Sequence, residues 1–428
     1  MMILVLAIFL VGPDTLWTRV YGGDSAEVAH SIQPTTDGGY IVVGSTRSFG
    51  SGGSDIWLLK LNAQGDTAWT RTFGGTYDDE GQDVAETADS GYIITGFIES
   101  SFGIRKLCLI KTDKNGTTSW IKLYHWGQNA EGYAVQPTTD SGYIITGMVS
   151  YAGPNNFIWL LKTDAGGDTI WCRDWGYPEG NSWGADVHET RDGGYILTGS
   201  GVLLSTQYYN EIVLIKTDAS GATSWTRTYG DSGVHDHGYS VRESPDWGYI
   251  LVGERSGSGF ILKTDANGDS IWARSYGGSE YRSVAITADS GYIVTGTNGD
   301  VFLVRMAPGG DTLWSCRYGG GANDGGYSVE PTPDSGYIIC GYTYSFGSGD
   351  CDAYIIRTEP EPGVTEGEGR VKKGRYPTII TGPLRLPKDK SCRVFDLTGR
   401  EVNPGLVKPG IYFIEIEGEI CQKVIKVR

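Results

Sequence analysis

Residues Asp89–Gly96 read DSGYIITG, and Asp140–Gly147 repeat the octapeptide without a change. Five looser copies start at Asp37 (DGGYIVVG), Asp192 (DGGYILTG), Asp246 (DWGYILVG), Asp289 (DSGYIVTG) and Asp334 (DSGYIICG), so one unit is written seven times in 428 residues. Two further anchors keep step with it. A tryptophan recurs at Trp17, Trp69, Trp120, Trp171, Trp225, Trp272 and Trp314, and an apolar triplet is closed by a cation at Lys60, Lys111, Lys162, Lys216, Lys263, Arg305 and Arg357. The tryptophans are 42 to 54 residues apart, a period that belongs to propeller blades and not to short helical repeats.

Each unit reads as four strands. The run GYSV and its relatives (Ile32, Val84, Val135, Val187, Val241, Val284, Val329) form the first strand, and Asp-x-Gly turns the chain into the second, YIITG. A loop of variable length leads to the third, of the type LIKTD. A DANGD-type hairpin then returns the fourth, which carries the tryptophan. Such a sheet is apolar on both faces and must pack against copies of itself. The chain begins on a tryptophan strand (Leu16 to Tyr21) and ends its repeats on a third strand (Ala353 to Thr358), so the N-terminal strand supplies what the last blade lacks. The expectation is an all-β chain: a seven-bladed β-propeller of four-stranded antiparallel blades over residues 13–360, closed by the N-terminal strand.

Composition agrees with that reading. Glycine (65), tyrosine (26) and tryptophan (13) are abundant, and long helix-forming runs are missing. The net charge of −16 argues against a nucleic-acid partner, whose phosphates require a basic surface. From Arg370 onward the sign reverses, with 13 Lys and Arg against 6 Asp and Glu. That reversal marks a second domain beyond the linker at 361–370, which contains EPGVTEGEGR. The opening run MMILVLAIFLVG (residues 1–12) has the length of a secretory signal core and is too short to span a bilayer; no other stretch is a transmembrane candidate. The seven cysteines include no C-x-x-C pair, which offers no zinc site; Cys392 and Cys421 share the C-terminal segment and are the first candidates for a disulfide.

Two resemblances add to this. KTDANGDSIW (Lys263–Trp272) resembles the tryptophan-docking signature of quinoprotein-type propellers and, more loosely, the Asp box of sialidases; the likeness implies shared blade mechanics and no shared chemistry. VFDLTGREV (394–402), LVKPGIYFIEI (406–416) and QKVIKVR (422–428) resemble the type A C-terminal sorting domain of proteins exported by the type IX secretion system. That resemblance covers about the last 58 residues, rests on Asp396, Gly399, Arg400 and Pro409 to Tyr412, and implies a small β-sandwich over 371–428, a secretion machinery as partner, and a secreted or outer-surface location.

Repeated chemistry invites a site, and each candidate has a structural reading. The cations closing the third strands lie beside the repeated aspartates in an antiparallel hairpin, so each is expected to pair with its own blade's Asp; an exposed pair would contribute only ~0 to 1 kcal/mol. DANGD from Asp265 opens like a calcium loop, but Tyr276 stands where a glutamate is required, so it reads as a hairpin turn. VHDHG brings His235 and His237 around Asp236 without a third metal ligand nearby. No cofactor or metal is implied.

The informative contrast lies between the two rims. One carries short, nearly constant turns; on the other the loops vary, and loops on a rigid scaffold are where recognition usually resides. That rim holds Tyr77, Asp78, Asp79, Glu80, Trp126, Tyr151, Tyr177, Trp183, Tyr208, Tyr209, His235, His237, Tyr281 and Phe346, aromatic and polar groups suited to an extracellular glycan or protein. The expectation is a non-catalytic binding propeller, with no nucleophile, base and orienter set visible. The alternatives are a glycan lyase or hydrolase at the funnel, using Tyr77 with Asp78 and Asp79 or His235 with Asp236, and a purely structural envelope protein.

Overall fold

The computed structural model describes residues 10–101, 103–151, 155–176, 180–202, 209–231, 233–276 and 280–361, and in the C-terminal segment 378–380, 392–396, 402–403, 408, 410–416 and 419–426. Residues 1–9, most of the expected signal segment, and 362–370, nearly all of the expected linker, lie outside this set.

Blade 1 consists of Glu27–Pro34, Tyr40–Thr46, Asp55–Leu61 and Thr67–Phe73, hydrogen-bonded in that order as one antiparallel sheet. The same order holds in blades 2 to 6, whose first strands are Asp79–Glu86, Asn129–Pro137, Trp183–Glu189, His237–Glu243 and Glu280–Ile286. Blade 7 takes Asp324–Pro331, Tyr337–Thr343 and Asp352–Thr358 from the end of the repeats and Thr15–Tyr21 from the beginning, paired so that Thr15 faces Thr358 and Tyr21 faces Ala353. Each first strand touches the first strand of the next blade, and blade 7 touches blade 1 in the same way. The structure is a closed seven-bladed β-propeller, with the first strands innermost.

The octapeptide fills the space between blades because its side chains alternate in direction. Val42 packs with Ile338, Cys340 and Ile355 of blade 7, whereas its neighbours Ile41 and Val43 pack with Val84, Ile94 and Ile110 of blade 2. Full burial of one such aliphatic side chain stabilises by about 1.5–3 kcal/mol, and neither face of a blade could be left in water.

The outer tryptophans clasp neighbouring blades. Trp69 covers Gly116 in the third hairpin turn of blade 2, Trp120 covers Gly167 in blade 3, and Trp17 on the closing strand covers Gly65 in blade 1. Tyr124 and Tyr276 donate their hydroxyls to the carbonyls of Gly167 and Gly310 in the same turns. All seven closing cations pair with their own blade's repeated aspartate; the five lysines do so at 2.8–3.0 Å. The expected pairing is present in every blade, with the cations buried and the aspartates exposed.

The propeller, Asp14–Glu359, is one of two compact units; Met1–Pro13 with Pro360–Arg428 make the other. In the C-terminal segment Thr378–Ile380, Glu419–Lys426, Gly410–Ile416 and Cys392–Asp396 form one mixed sheet in that order, the first pair parallel. The second layer that a sandwich requires is not among the described residues, and neither are the side chains of Cys392 and Cys421. Among the described residues no helix is long and apolar enough to cross a membrane.

Candidate binding site

The last glycine of the octapeptide shapes the centre of the ring. A Cβ on Gly147 would stand 1.9 Å from the carbonyl oxygen of Glu131, and the other six copies of this glycine are pressed against the first strand as closely. The approach accompanies a β-bulge: in every blade the register between first and second strands skips one residue. A bulged residue is unpaired and re-aimed. The seven skipped residues are His30, Gln82, Tyr133, Ala185, Tyr239, Arg282 and Tyr327, and all seven, with Trp183, line a central cavity of about 350 Å³.

Polar groups converge on this cavity. The Arg282 guanidinium lies 4.1 Å from the Tyr239 ring centre and 5.4 Å from that of Tyr327, and is tied at 2.7 Å to Glu280. Its Nε is shielded from solvent without a hydrogen-bond partner. His30 binds the Gly81 carbonyl oxygen through Nδ1 at 2.8 Å, turns Nε2 to within 3.6 Å of Glu80 and meets Tyr327 edge to face. Tyr133 donates to Glu131 at 2.8 Å, and Arg105 pairs with the same carboxylate at 2.9 Å. Burial and the charge of Glu280 raise the Glu254 carboxyl above the usual carboxylate range.

Further along the same first strands, past the bulge residues, lies a charged cluster. Asp83 accepts from the Ser31 hydroxyl at 2.7 Å and the Val135 amide at 2.9 Å, yet burial pushes it up to about 7, with Asp186 adding to the effect. Asp186 itself, although desolvated, is held far below the carboxylate range by Arg242, 2.6 Å away, and by His188. His188 is lowered by burial and by Arg242. Glu330, 3.7 Å from Arg242, is raised by burial despite that cation.

Of the residues expected on the rim, Trp183 lines the cavity and His237 packs against it, with ring centres 5.2 Å apart. His235 stacks on His237, and Tyr209 meets His235, so these rings lead from an exposed loop to the funnel. Trp126, Tyr151 and Phe346 are exposed but rest on Trp159, Phe157 and Tyr354 of their own blades, away from the cavity lining. Tyr77 is exposed, and Asp78 accepts from the Ser54 amide.

Tyr281, Asp79 and Asp236 are buried and not presented on the rim. Tyr281 is fully buried and stacked on Phe302, because it precedes the bulge residue and points into the sheet packing. Asp79 is also fully buried and accepts from the Gly75 and Glu99 amides, bracing two loops. Asp236 does the same for Asp231 and Ser256, which turns its carboxylate to loop bracing. Tyr177 and Tyr208 lie outside the described residues. Among the described residues no group of three or more metal-ligating side chains is placed to hold an ion.

Sequence reading missed the bulge residues, although a signal existed. Two positions before the repeated valine the copies read His, Gln, Tyr, Ala, Tyr, Arg and Tyr, a variable position within an otherwise uniform strand.

No protein-family model and no curated protein sequence matches the chain. Among solved structures it is similar to the WD40 β-propeller domain of Doa1, at 12% identity over 82% of this chain and 99% of that one, with a TM-score of 0.52. It is also similar to a protein of unknown function from Dyadobacter fermentans (11% identity, 82% and 100% covered, TM-score 0.49) and to Sqt1 from Chaetomium thermophilum (12%, 78% and 83%, 0.48). At 12% identity the likeness to the Doa1 domain supports the propeller fold and nothing finer.

Proposed function

We propose that this protein is a non-catalytic recognition scaffold of the cell exterior, holding part of a glycan or protein in the central funnel. The observation that carries the reading is the cavity: about 350 Å³, walled by aromatic rings and supplied with a few convergent polar groups, the ordinary form of a ligand site. The Gln82 amide and the Tyr239 and Tyr327 hydroxyls line it and bond no other group among the described residues. Binding at this point leaves the rigid ring unchanged and lets the rim, through Tyr209 and His235, extend the contact. The apolar leader and the sorting-type C-terminal segment support export and surface attachment.

The test is a glycan and protein-overlay screen of the full chain beside Ala185→Trp, which fills the cavity. Partners retained by the native protein and lost by the filled variant support the reading; indifference to filling the cavity contradicts it. Removing residues 371–428 should leave the protein inside the producing cell, and unchanged export would reject the sorting role.

A glycan lyase at the same funnel is the second reading. His30, Tyr327 and Arg282 line one cavity, and a base, an acid and a cation are what elimination beside a sugar carboxylate requires. Ultraviolet absorbance from an unsaturated product on incubation with acidic polysaccharides would establish it, and its absence across such substrates would remove it.

A further inference from the structure

The charges around the funnel do not balance. Close to the lining residues Tyr133, Tyr239 and Tyr327 stand Glu80, Glu131, Glu254 and Glu280; Arg105 answers Glu131 and Arg282 answers Glu280. Among the described residues Glu80 makes an ion pair only with the imidazole of His30, and Glu254 makes none; Arg105 and Arg282 act on these two carboxyls from a distance. In the charged cluster, Arg242 is shared between Asp186 and Glu330, with Asp83 close behind. The funnel therefore carries more carboxyl groups than guanidinium groups.

We propose that the funnel receives an arginine or lysine side chain presented by a basic segment of a protein partner. This narrows the scaffold reading given above and rests on it. Cations are fewer there than carboxyl groups: Glu80 and Glu254 are the acceptors left over, and charge-assisted bonds to them would be roughly twice as strong as neutral ones. The walls suit it as well, because Trp183, Tyr239 and Tyr327 present rings on which a cation is stabilised by the ring quadrupole. Arg282 already lies on the Tyr239 and Tyr327 rings, so an incoming cation shares this wall with one guanidinium. A volume of about 350 Å³ lies at the small end of ligand sites and accommodates one side chain more readily than a folded loop. Beyond the funnel, the net charge of −16 steers a basic partner toward the propeller and repels an acidic one.

The experiment uses the full chain and a short oligo-arginine peptide, with the same peptide in citrulline form as its neutral isostere and spermine as a free polyamine. Binding is read by calorimetry and by tryptophan fluorescence, since Trp183 lines the cavity. The expected result is saturable binding of the arginine peptide, weakened about tenfold by citrulline, by Glu254→Gln or by Glu80→Gln, and weakened further by added salt. Spermine binding as tightly as the peptide would assign the site to polyamines and overturn the protein partner. Equal affinity for arginine and citrulline peptides, or indifference to both Glu variants, would overturn the cationic occupant. Should a neutral glycan bind and be lost in Ala185→Trp while the arginine peptide does not bind, the scaffold reading stands and this inference fails. If no ligand responds to Ala185→Trp, both fail. Thermal melts of each variant separate loss of binding from loss of folding.

Discussion

Lys162 and Asp140 meet at 2.9 Å with unequal exposure, the lysine side chain 3% exposed and the aspartate side chain 57%. Lys162 also donates to the Thr163 carbonyl at 2.9 Å. Removing the two partners should therefore cost different amounts. Asp140→Ala leaves an ammonium buried without its counter-charge, a loss of about 3 kcal/mol. Lys162→Met leaves a carboxylate that water can solvate, a loss of about 1 kcal/mol or less. Urea unfolding of the two variants measures both, and equal losses would contradict the account. Although desolvation raises Asp140, hydrogen bonds from Thr138 and Lys162 hold it at about 2. Its contribution is thus complete above the ordinary carboxylate value near pH ~4 and is lost as the pH falls from there to about 2.

Gly166 and Gly167 are adjacent but differ in what a methyl group would meet. Gly167 has φ +80° and an added Cβ would lie 2.9 Å from Trp120, whereas the nearest atom to a Cβ on Gly166 is 3.4 Å away. Gly167→Ala should destabilise by about 2 kcal/mol, combining left-handed backbone strain with displacement of the clasping ring. Gly166→Ala should be neutral or stabilising by up to about 1 kcal/mol through the unfolded chain. Thermal unfolding distinguishes them, and similar melting temperatures would show that the tryptophan clasp is slack.

The fold was legible because its determinants are local and repeated. The Asp-x-Gly turn, the Lys162 cation that meets it and the Trp120 clasp each recur at fixed spacing, so one unit interprets the others. The site was less legible because it depends on a departure from regular pairing. Alternation alone does not reveal that the chain skips a residue between Gly132 and Ala134, and that skip aims Tyr133 at the axis. Tyr281 misled for the same reason: one residue before Arg282, it falls on the opposite side. Asp79 looked like a ligand-binding acid because loop bracing and ligand binding use the same side chain, and sequence carries no sign of which amides it accepts.

Closure of the ring rests on the strand Thr15–Tyr21, which completes blade 7 through pairing with Asp352–Thr358, while Glu359 donates its amide to the Asp14 carbonyl at 2.7 Å. Removing residues up to Tyr21 should strip an edge from Ala353 and Ile355, both fully buried, and take Trp17 from its seat over Gly65. The expected outcome is loss of the cooperative unfolding transition, with faster amide exchange first in blades 7 and 1. Exchange that accelerates uniformly around the ring, or not at all, would mean that the closing strand is dispensable.

Asp83 should reverse the usual pH dependence of a carboxylate. Burial raises it to about 7 in the folded chain, against an ordinary value near ~4 when unfolded. Between those two values the folded state binds the proton more tightly, so this residue favours folding below pH ~4 and progressively loses that advantage as the pH rises to about 7. His188, lowered by burial and Arg242, disfavours folding as the pH falls through its ordinary range, so the bare stability profile mixes both residues. Asp83→Asn isolates one of them, keeping the size and an acceptor for the Ser31 hydroxyl. Relative to that variant, the native chain should lose stability from pH 4 to 7 and show a constant difference outside the window, as measured by denaturant midpoints. A difference that is flat across the window would show Asp83 to be ionised in the folded protein.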